Sequence, residues 1–167
     1  FKVWGSAAND VYVVGELETI WHLRGSTWSL ERQSSNASSR LTTVAGCSAH
    51  EVYAVGNLDV LRSDGTTWSA VSIGTIDDNG LNGVACAGPG RIAVVGFAGT
   101  KERLSGGRWD DDFSQPPSTD LHAVWADPSG AFWAAGGDFS SDPRAGASRN
   151  GVLAYYGSAP PSSTLSP

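Results

Sequence analysis

The chain has 167 residues, 40% apolar and 10% aromatic, enough to build a core, and no apolar run approaches the length of a membrane-spanning helix. A net charge of −6, with no cluster of lysines or arginines, excludes a surface that tracks nucleic-acid phosphates. The 21 glycines and 8 prolines point to a turn-rich all-β protein.

In chain order, Val3-Trp4-Gly5 reads as a first strand and Val11 to Gly15 (VYVVG) as a second. A third segment follows around Trp21-His22, and Gly25-Ser26-Thr27-Trp28 turns into a fourth. The pattern then returns. Val44 precedes VYAVG ending at Gly56, Val84 precedes IAVVG ending at Gly96, and Val124 precedes FWAAG ending at Gly136. Asp64-Gly65 before Trp68, and Gly106-Gly107 before Trp109, repeat the hairpin, whose tight turn needs positive φ angles. All three series advance by about forty residues, the period of a four-stranded propeller blade. The hairpin inside each unit argues against a β-solenoid.

The expected architecture is therefore an all-β propeller of four repeats, at about 1–40, 41–80, 81–120 and 121–157, with a Pro/Ser-rich tail at 158–167. Such repeats form either a small four-bladed ring or part of a larger one. Each blade must bury both faces against neighbours, which accounts for strands that are apolar on both sides. The recurring Trp28, Trp68 and Trp109 are expected to pack, as are Trp4, Trp125 and Trp21, the last aligned with Leu61 and Leu153. With no methionine, the sequence reads as a processed or partial product.

Ser63-Asp64-Gly65-Thr66-Thr67-Trp68 resembles the Asp-box, or bacterial neuraminidase repeat, although one residue is missing between Ser and Gly. The fuller unit, LxxVWGSxxxDVYxVG with a DGTTW hairpin, is similar to repeats of secreted bacterial propellers related to the photosystem II assembly-factor family. The resemblance implies a propeller fold and an extracytoplasmic, bacterial setting. An excess of arginine over lysine, beside abundant Ala, Gly and Ser, also reads as a GC-rich bacterial genome.

Cys47 and Cys86 fall at nearly the same place in adjacent units, so a disulfide between blades two and three is expected, as in an oxidising compartment. His22, His50 and His122 are isolated, which leaves no zinc spacing. His22, Arg62 and Arg103 share a third-strand position far from the axis, so no sialidase-like arginine cluster forms and no glycosidase carboxylate pair can be placed. The expectation is a non-enzyme without a cofactor or metal.

The second-to-third-strand gaps and the blade-to-blade connectors share one face of a propeller. Taking the connectors as 29–40, 69–80, 110–120 and 137–150, they hold −5 of the net charge of −6. Asp77, Asp78, Asp110, Asp111, Asp112 and Asp120 dominate that charge. The gap is four or five residues in three units and sixteen, from Gly136 to Val152, in the fourth. Long loops on a compact scaffold commonly carry function. The candidate contact residues are thus Asp110, Asp111, Asp112, Phe113, Asp138, Phe139, Arg144 and Arg149, with Phe97 as a further aromatic that breaks the repeat. The expected partner is a protein or glycan. The alternative is a structural subunit of a larger assembly, and a glycoside hydrolase comes third.

Overall fold

The computed structural model of the chain describes residues 1–74, 80–111, 115–138 and 150–158. Blade 1 comprises β1 (Lys2–Ala7), β2 (Asp10–Val14), β3 (Ile20–Arg24) and β4 (Thr27–Arg32). Blade 2 comprises β5 (Thr43–Ser48), β6 (Glu51–Gly56), β7 (Asp59–Ser63) and β8 (Trp68–Ala70). Blade 3 holds β9 (Leu81–Gly88), β10 (Arg91–Gly96), β11 (Lys101–Ser105) and β12 (Arg108–Asp111), with one 3-10 turn at Phe97–Gly99. Blade 4 holds β13 (Leu121–Ala126), β14 (Phe132–Gly137) and β15 (Gly151–Tyr156). Each sheet follows chain order with antiparallel neighbours, three of them four-stranded and the last three-stranded among the described residues. The tail from 159 onward lies outside the described residues.

Because side chains alternate across a strand, cross-strand partners share a face. In blade 1, Val3 pairs with Val13, Val13 with Trp21 and Trp21 with Leu30, which defines a rear face. Trp4 pairs with Tyr12, and Tyr12 with His22, on the forward face. The forward face meets blade 2: Tyr12, Val14 and Ile20 form one core cluster with Val44, Val52, Ala54 and Leu61 of the blade 2 rear face. The next seam joins Tyr53, Val55 and Val60 to Val84, Ile92 and Val94. Smaller clusters join Ala85, Ala93 and Val95 to Phe132, Leu121 and Ala134. Each large side chain buried in this way contributes about 1.5–3 kcal/mol.

Polar ties one repeat apart reinforce the seams. Arg24 donates to the Gly65 carbonyl at 2.8 Å and Arg91 to that of Gly130 at 2.6 Å. The Thr43 hydroxyl donates to the Asn82 carbonyl at 2.8 Å, and the Asn82 amide to that of Leu121 at 3.0 Å. Cys47 and Cys86 are bonded across the second seam with Cα atoms 5.4 Å apart, as expected from their spacing. His22, buried at 1% exposure, stacks on Tyr12 and faces Asp10 at 2.6 Å and Glu31 at 2.8 Å. Burial acts to raise the Asp10 pKa, but hydrogen bonds from Ser6 and His22 outweigh it, and the net direction is downward.

Three expected core tryptophans depart from expectation. Trp21, Trp28 and Trp125 are 41%, 47% and 59% exposed. Trp21 and Trp28 lie on the rear of blade 1 and Trp125 on the front of blade 4, where none of the described blades covers them. The supposed equivalence of Trp21 and Leu153 also fails by one residue. Leu153 pairs with Ala135 on the forward face, and Ala154, opposite Ala134, is the rear-face counterpart. Val3 and Leu153, 60% and 55% exposed, mark the same two ends. As described, the four blades form an open arc, with the rear of blade 1 and the front of blade 4 uncovered.

Candidate binding face

The first strands of all four blades line a central hollow of about 170 Å³, with Val3, Val44, Val84 and Val124 as its repeating wall. Its described lining holds Lys2, Thr43 and His122 but no carboxylate. His22, Arg62 and Arg103 sit on third strands, away from this axis, as the repeat predicts. Among the described residues, no group of three or more His, Cys, Asp or Glu could hold a metal.

The second-to-third-strand turns and the blade connectors are bonded to each other at one end of the arc. Leu17 donates its amide to the Ser39 carbonyl at 2.8 Å, Leu81 to Asn57 at 2.8 Å, Phe97 to Gly80 at 3.1 Å and Gly137 to Asp120 at 2.8 Å. The disulfide and the Asp64-Gly65 hairpin lie at the other end. Of the described non-glycine residues, those with positive φ all fall in these turns: Leu17 (56°), Glu18 (50°), Asn57 (44°) and Ala98 (49°). For Leu17, Glu18 and Ala98 this left-handed backbone costs about 1–2 kcal/mol each. At Leu17-Glu18 the turn is clamped by Arg32, whose Nε donates to the buried Glu18 carboxylate at 3.0 Å.

The acidic residues divide. Asp110 and Asp111 belong to β12, not to a connector, so they were misplaced among residues free of structural duty. Asp110 accepts from Arg108 Nε at 2.8 Å, and Asp111 lies opposite Glu102. Asp120 accepts from the Ala98 amide at 2.9 Å and so braces the 3-10 turn. Phe97 packs edge-on to His122, with ring centroids 6.2 Å apart, rather than reaching outward. Asp138 stands at the start of the fourth-blade insert. Asp77, Asp78, Asp112, Phe113, Phe139, Arg144 and Arg149 lie outside the described residues. Pro116-Pro117 and Val152 to Tyr155 of β15 line a shallow groove of about 500 Å³.

Sequence reasoning missed Glu102. It is 1% exposed, and its carboxylate has no side-chain partner among the described residues. Burial, with the charges of Asp111 and Asp110, pushes its pKa up to about 7, against a downward pull from the Gly74 amide. Its backbone partner Val94 occupies the repeat position of Ala54, so Glu102 stands where Leu61 stands in blade 2. That signal was available from the repeat: a charge in a column otherwise filled by Trp21, Leu61 and Ala154.

The opposite end carries self-contained turns. Asp64 accepts from the Thr66 hydroxyl at 2.6 Å and from the Thr67 and Thr66 amides at 2.9 and 2.8 Å, which hold its carboxyl far below the usual range. Asp127 is held at about 2, chiefly by the Ser129 hydroxyl and then by Trp133 Nε1 at 3.0 Å. These bonds are internal to the turns.

Sheets stacked about an axis, with first strands innermost and connectors gathered at one end, define a β-propeller. Solved structures similar to this chain include two of the same protein type. One is YCF48 bound to D1 peptide, 20% identical with a TM-score of 0.64, matched over 80% of this chain and 45% of that one. The other is YCF48 from Cyanidioschyzon merolae, 20% identical with a TM-score of 0.60, matched over 80% and 48%. The chain therefore spans less than half the length of either. At this identity the likeness shows the propeller fold alone. No family model and no curated protein matches the chain.

Proposed function

We propose that the chain is a non-catalytic propeller module that binds a protein partner, as an extended peptide segment, at the connector end bearing the 137–150 insert. The observation that carries this reading is the groove between Pro116-Pro117 and β15, the strand that follows the insert in the chain. One wall of the groove is held from blade 3, where Lys101 Nζ donates to the carbonyls of Gly99 at 2.7 Å and Pro117 at 2.8 Å. The similar propeller solved with a D1 peptide is consistent with peptide recognition on this scaffold. Asp138, Phe139, Arg144 and Arg149 are the insert residues proposed to touch the partner, with Asp112 and Phe113 on the adjoining connector. The Cys47–Cys86 bond supports an extracytoplasmic setting.

The test is selection of linear peptides from a displayed random library against the native chain, followed by affinity measurement on a variant whose insert is shortened to a five-residue turn. Selected peptides should lose at least tenfold in affinity for the shortened variant, while its Tm stays within a few degrees. Unchanged binding, with loss instead on substitutions within Ser6–Asn9 or Ala87–Arg91, would place the site at the cysteine end. Binding on a glycan array with no peptide selected would favour a carbohydrate ligand.

A further inference from the structure

The second strands carry an aromatic ring at one forward-face position, Tyr12 in blade 1 and Tyr53 in blade 2. Each ring stands opposite a third-strand side chain able to bear positive charge, His22 or Arg62. Both tyrosines are buried, and the Tyr12 ring stacks on His22 with centroids 3.7 Å apart. Blade 4 has Trp133 at this position. Blade 3 keeps the charge, as Arg103, but has Ala93 where the ring should be. The seam does not close over the loss. A half-open cavity of about 70 Å³ lies between Ala93 and Arg103 on the front of blade 3 and Phe132, Ala134 and Tyr156 on the rear of blade 4.

The polar groups around this cavity define what it takes. Lys101 is committed to the carbonyls of Gly99 and Pro117, and the Glu102 carboxylate lies against Gly74 on the other face of the sheet. Arg103 places its guanidinium 3.6 Å over the Tyr156 ring, while its buried Nε has no acceptor among the described residues. Asp110, its cross-strand neighbour, accepts from Arg108 instead. An unpaired buried donor is costly, and an acceptor brought to it recovers that cost. The occupant is therefore apolar with one acceptor at its inner end. Access is from the groove beside β15, since Pro116, Ala154 and Tyr155 line both hollows.

We infer that the cavity receives a tyrosine side chain of the peptide bound in that groove, its phenol oxygen accepting from Arg103 Nε and its ring edge lying where the sister blades hold Tyr12 and Tyr53. A tyrosine entering from its Cβ carries the hydroxyl foremost, so the acceptor arrives at the buried donor. An apolar cavity that holds a whole benzene ring measures about 150 Å³. With less than half that volume, this one takes the leading part of the ring and leaves the rest in the groove. The inference rests on the peptide reading of the groove and names the residue the partner must present.

Peptides selected on the parent chain should share a tyrosine. Replacing it by alanine should weaken binding about thirtyfold, and by phenylalanine roughly fivefold. Arg103→Met removes the donor and should bring the tyrosine and phenylalanine peptides to equal affinity, a change that a merely structural arginine would not produce. Ala93→Tyr puts a ring of the chain's own in the cavity; it should hold or raise the Tm and cost the tyrosine peptide roughly tenfold or more. Ala93→Leu is the smaller filler for the same comparison. N-acetyltyrosinamide, followed by saturation-transfer NMR, should bind the parent at millimolar concentration and not the filled variants. Peptides that lose affinity for the insert-shortened chain but carry no common tyrosine, and bind the filled variants unchanged, would overturn this inference and leave the groove reading standing. Failure to select any peptide would overturn the groove reading, and N-acetyltyrosinamide then decides the cavity alone: no binding overturns it. A large fall in Tm in both filled variants would also overturn it, with Phe113 or Phe139 of the chain itself as the occupant.

Discussion

Replacing Glu102 by Gln should make the protein more stable at pH 8 relative to pH 5. The Glu102 carboxyl is raised from its usual 4.5 to about 7, with burial as the largest cause and Asp111 next. A carboxyl with a raised folded-state pKa binds its proton more tightly when folded. Its full contribution is present below pH 4.5, diminishes as pH rises through the window to about 7, and is lost above that. A difference of roughly 2.5 units corresponds to about 3 kcal/mol. The amide cannot ionise, so the variant escapes this loss, although its own unsatisfied burial costs about 1–3 kcal/mol at every pH. The informative quantity is therefore the change in ΔΔG between pH 5 and pH 8, in which the constant cost cancels. Urea unfolding of both proteins at the two pH values should show Glu102→Gln gaining roughly 2–3 kcal/mol on the parent over that interval. Glu102→Leu, which copies Leu61, should show the same pH dependence from a higher baseline. A ΔΔG unchanged between pH 5 and pH 8 would refute the reasoning, since Glu102 would then be ionised or solvated equally in both states.

Three further outcomes follow from the seams and turns. Cys47→Ser with Cys86→Ser opens a link of sequence separation 39 and should cost roughly 4 kcal/mol by loop-closure entropy, read from chemical denaturation of the non-reduced parent and the variant. Gly46→Ala drives a methyl into the Trp4 ring and should cost about 1–3 kcal/mol, with a change in tryptophan fluorescence that reports the displaced indole. Asp64→Ala removes the acceptor shared by the Thr66 and Thr67 amides and should lower the Tm by a few degrees in neutral buffer. Because the Asp64 carboxyl lies far below the usual range, its contribution is present above the ordinary carboxylate pKa, so that difference should persist through mildly acidic pH and vanish only in strong acid.

Most of the blade was readable in the sequence because its repeat encodes packing. The series Val3, Val44, Val84, Val124 and the glycines from Gly15 to Gly136 mark first and second strands, and the structure puts strands there. The disulfide was readable for the same reason: equivalent positions in adjacent blades lie side by side. What the repeat could not give was burial at the ends. Trp28 and Trp68 occupy one rear-face repeat position, but only Trp68 has a described blade packed behind it, against Tyr12 of blade 1, so equal sequence environments become unequal solvent environments. The fourth blade misled for a different reason. With Val152 sixteen positions after Gly136, counting on from an aligned glycine loses register, and a slip of one residue moved Leu153 to the wrong face.

The binding face was legible only in outline. That turns and connectors gather at one end follows from antiparallel four-stranded blades, but which acids are at liberty there does not. Asp110 and Asp111 looked like connector residues because charge is common in loops, yet both extend β12, and Asp120 is spent on the Ala98 amide. An acidic run therefore carries no message about a partner until its internal bonds are known. The same repeat supplies a sharper test than charge. At a position where sister blades show what packing requires, a residue that departs from its column without relieving strain needs another explanation. Glu102 departs by burying a charge among Trp21, Leu61 and Ala154. Trp125 departs from Ala45 and Ala85 but agrees with Trp4, whose glycine partner is Gly46. The first departure costs stability within one blade seam. The second leaves an indole 59% exposed on the front of blade 4, where the equivalent Trp4 is covered by blade 2.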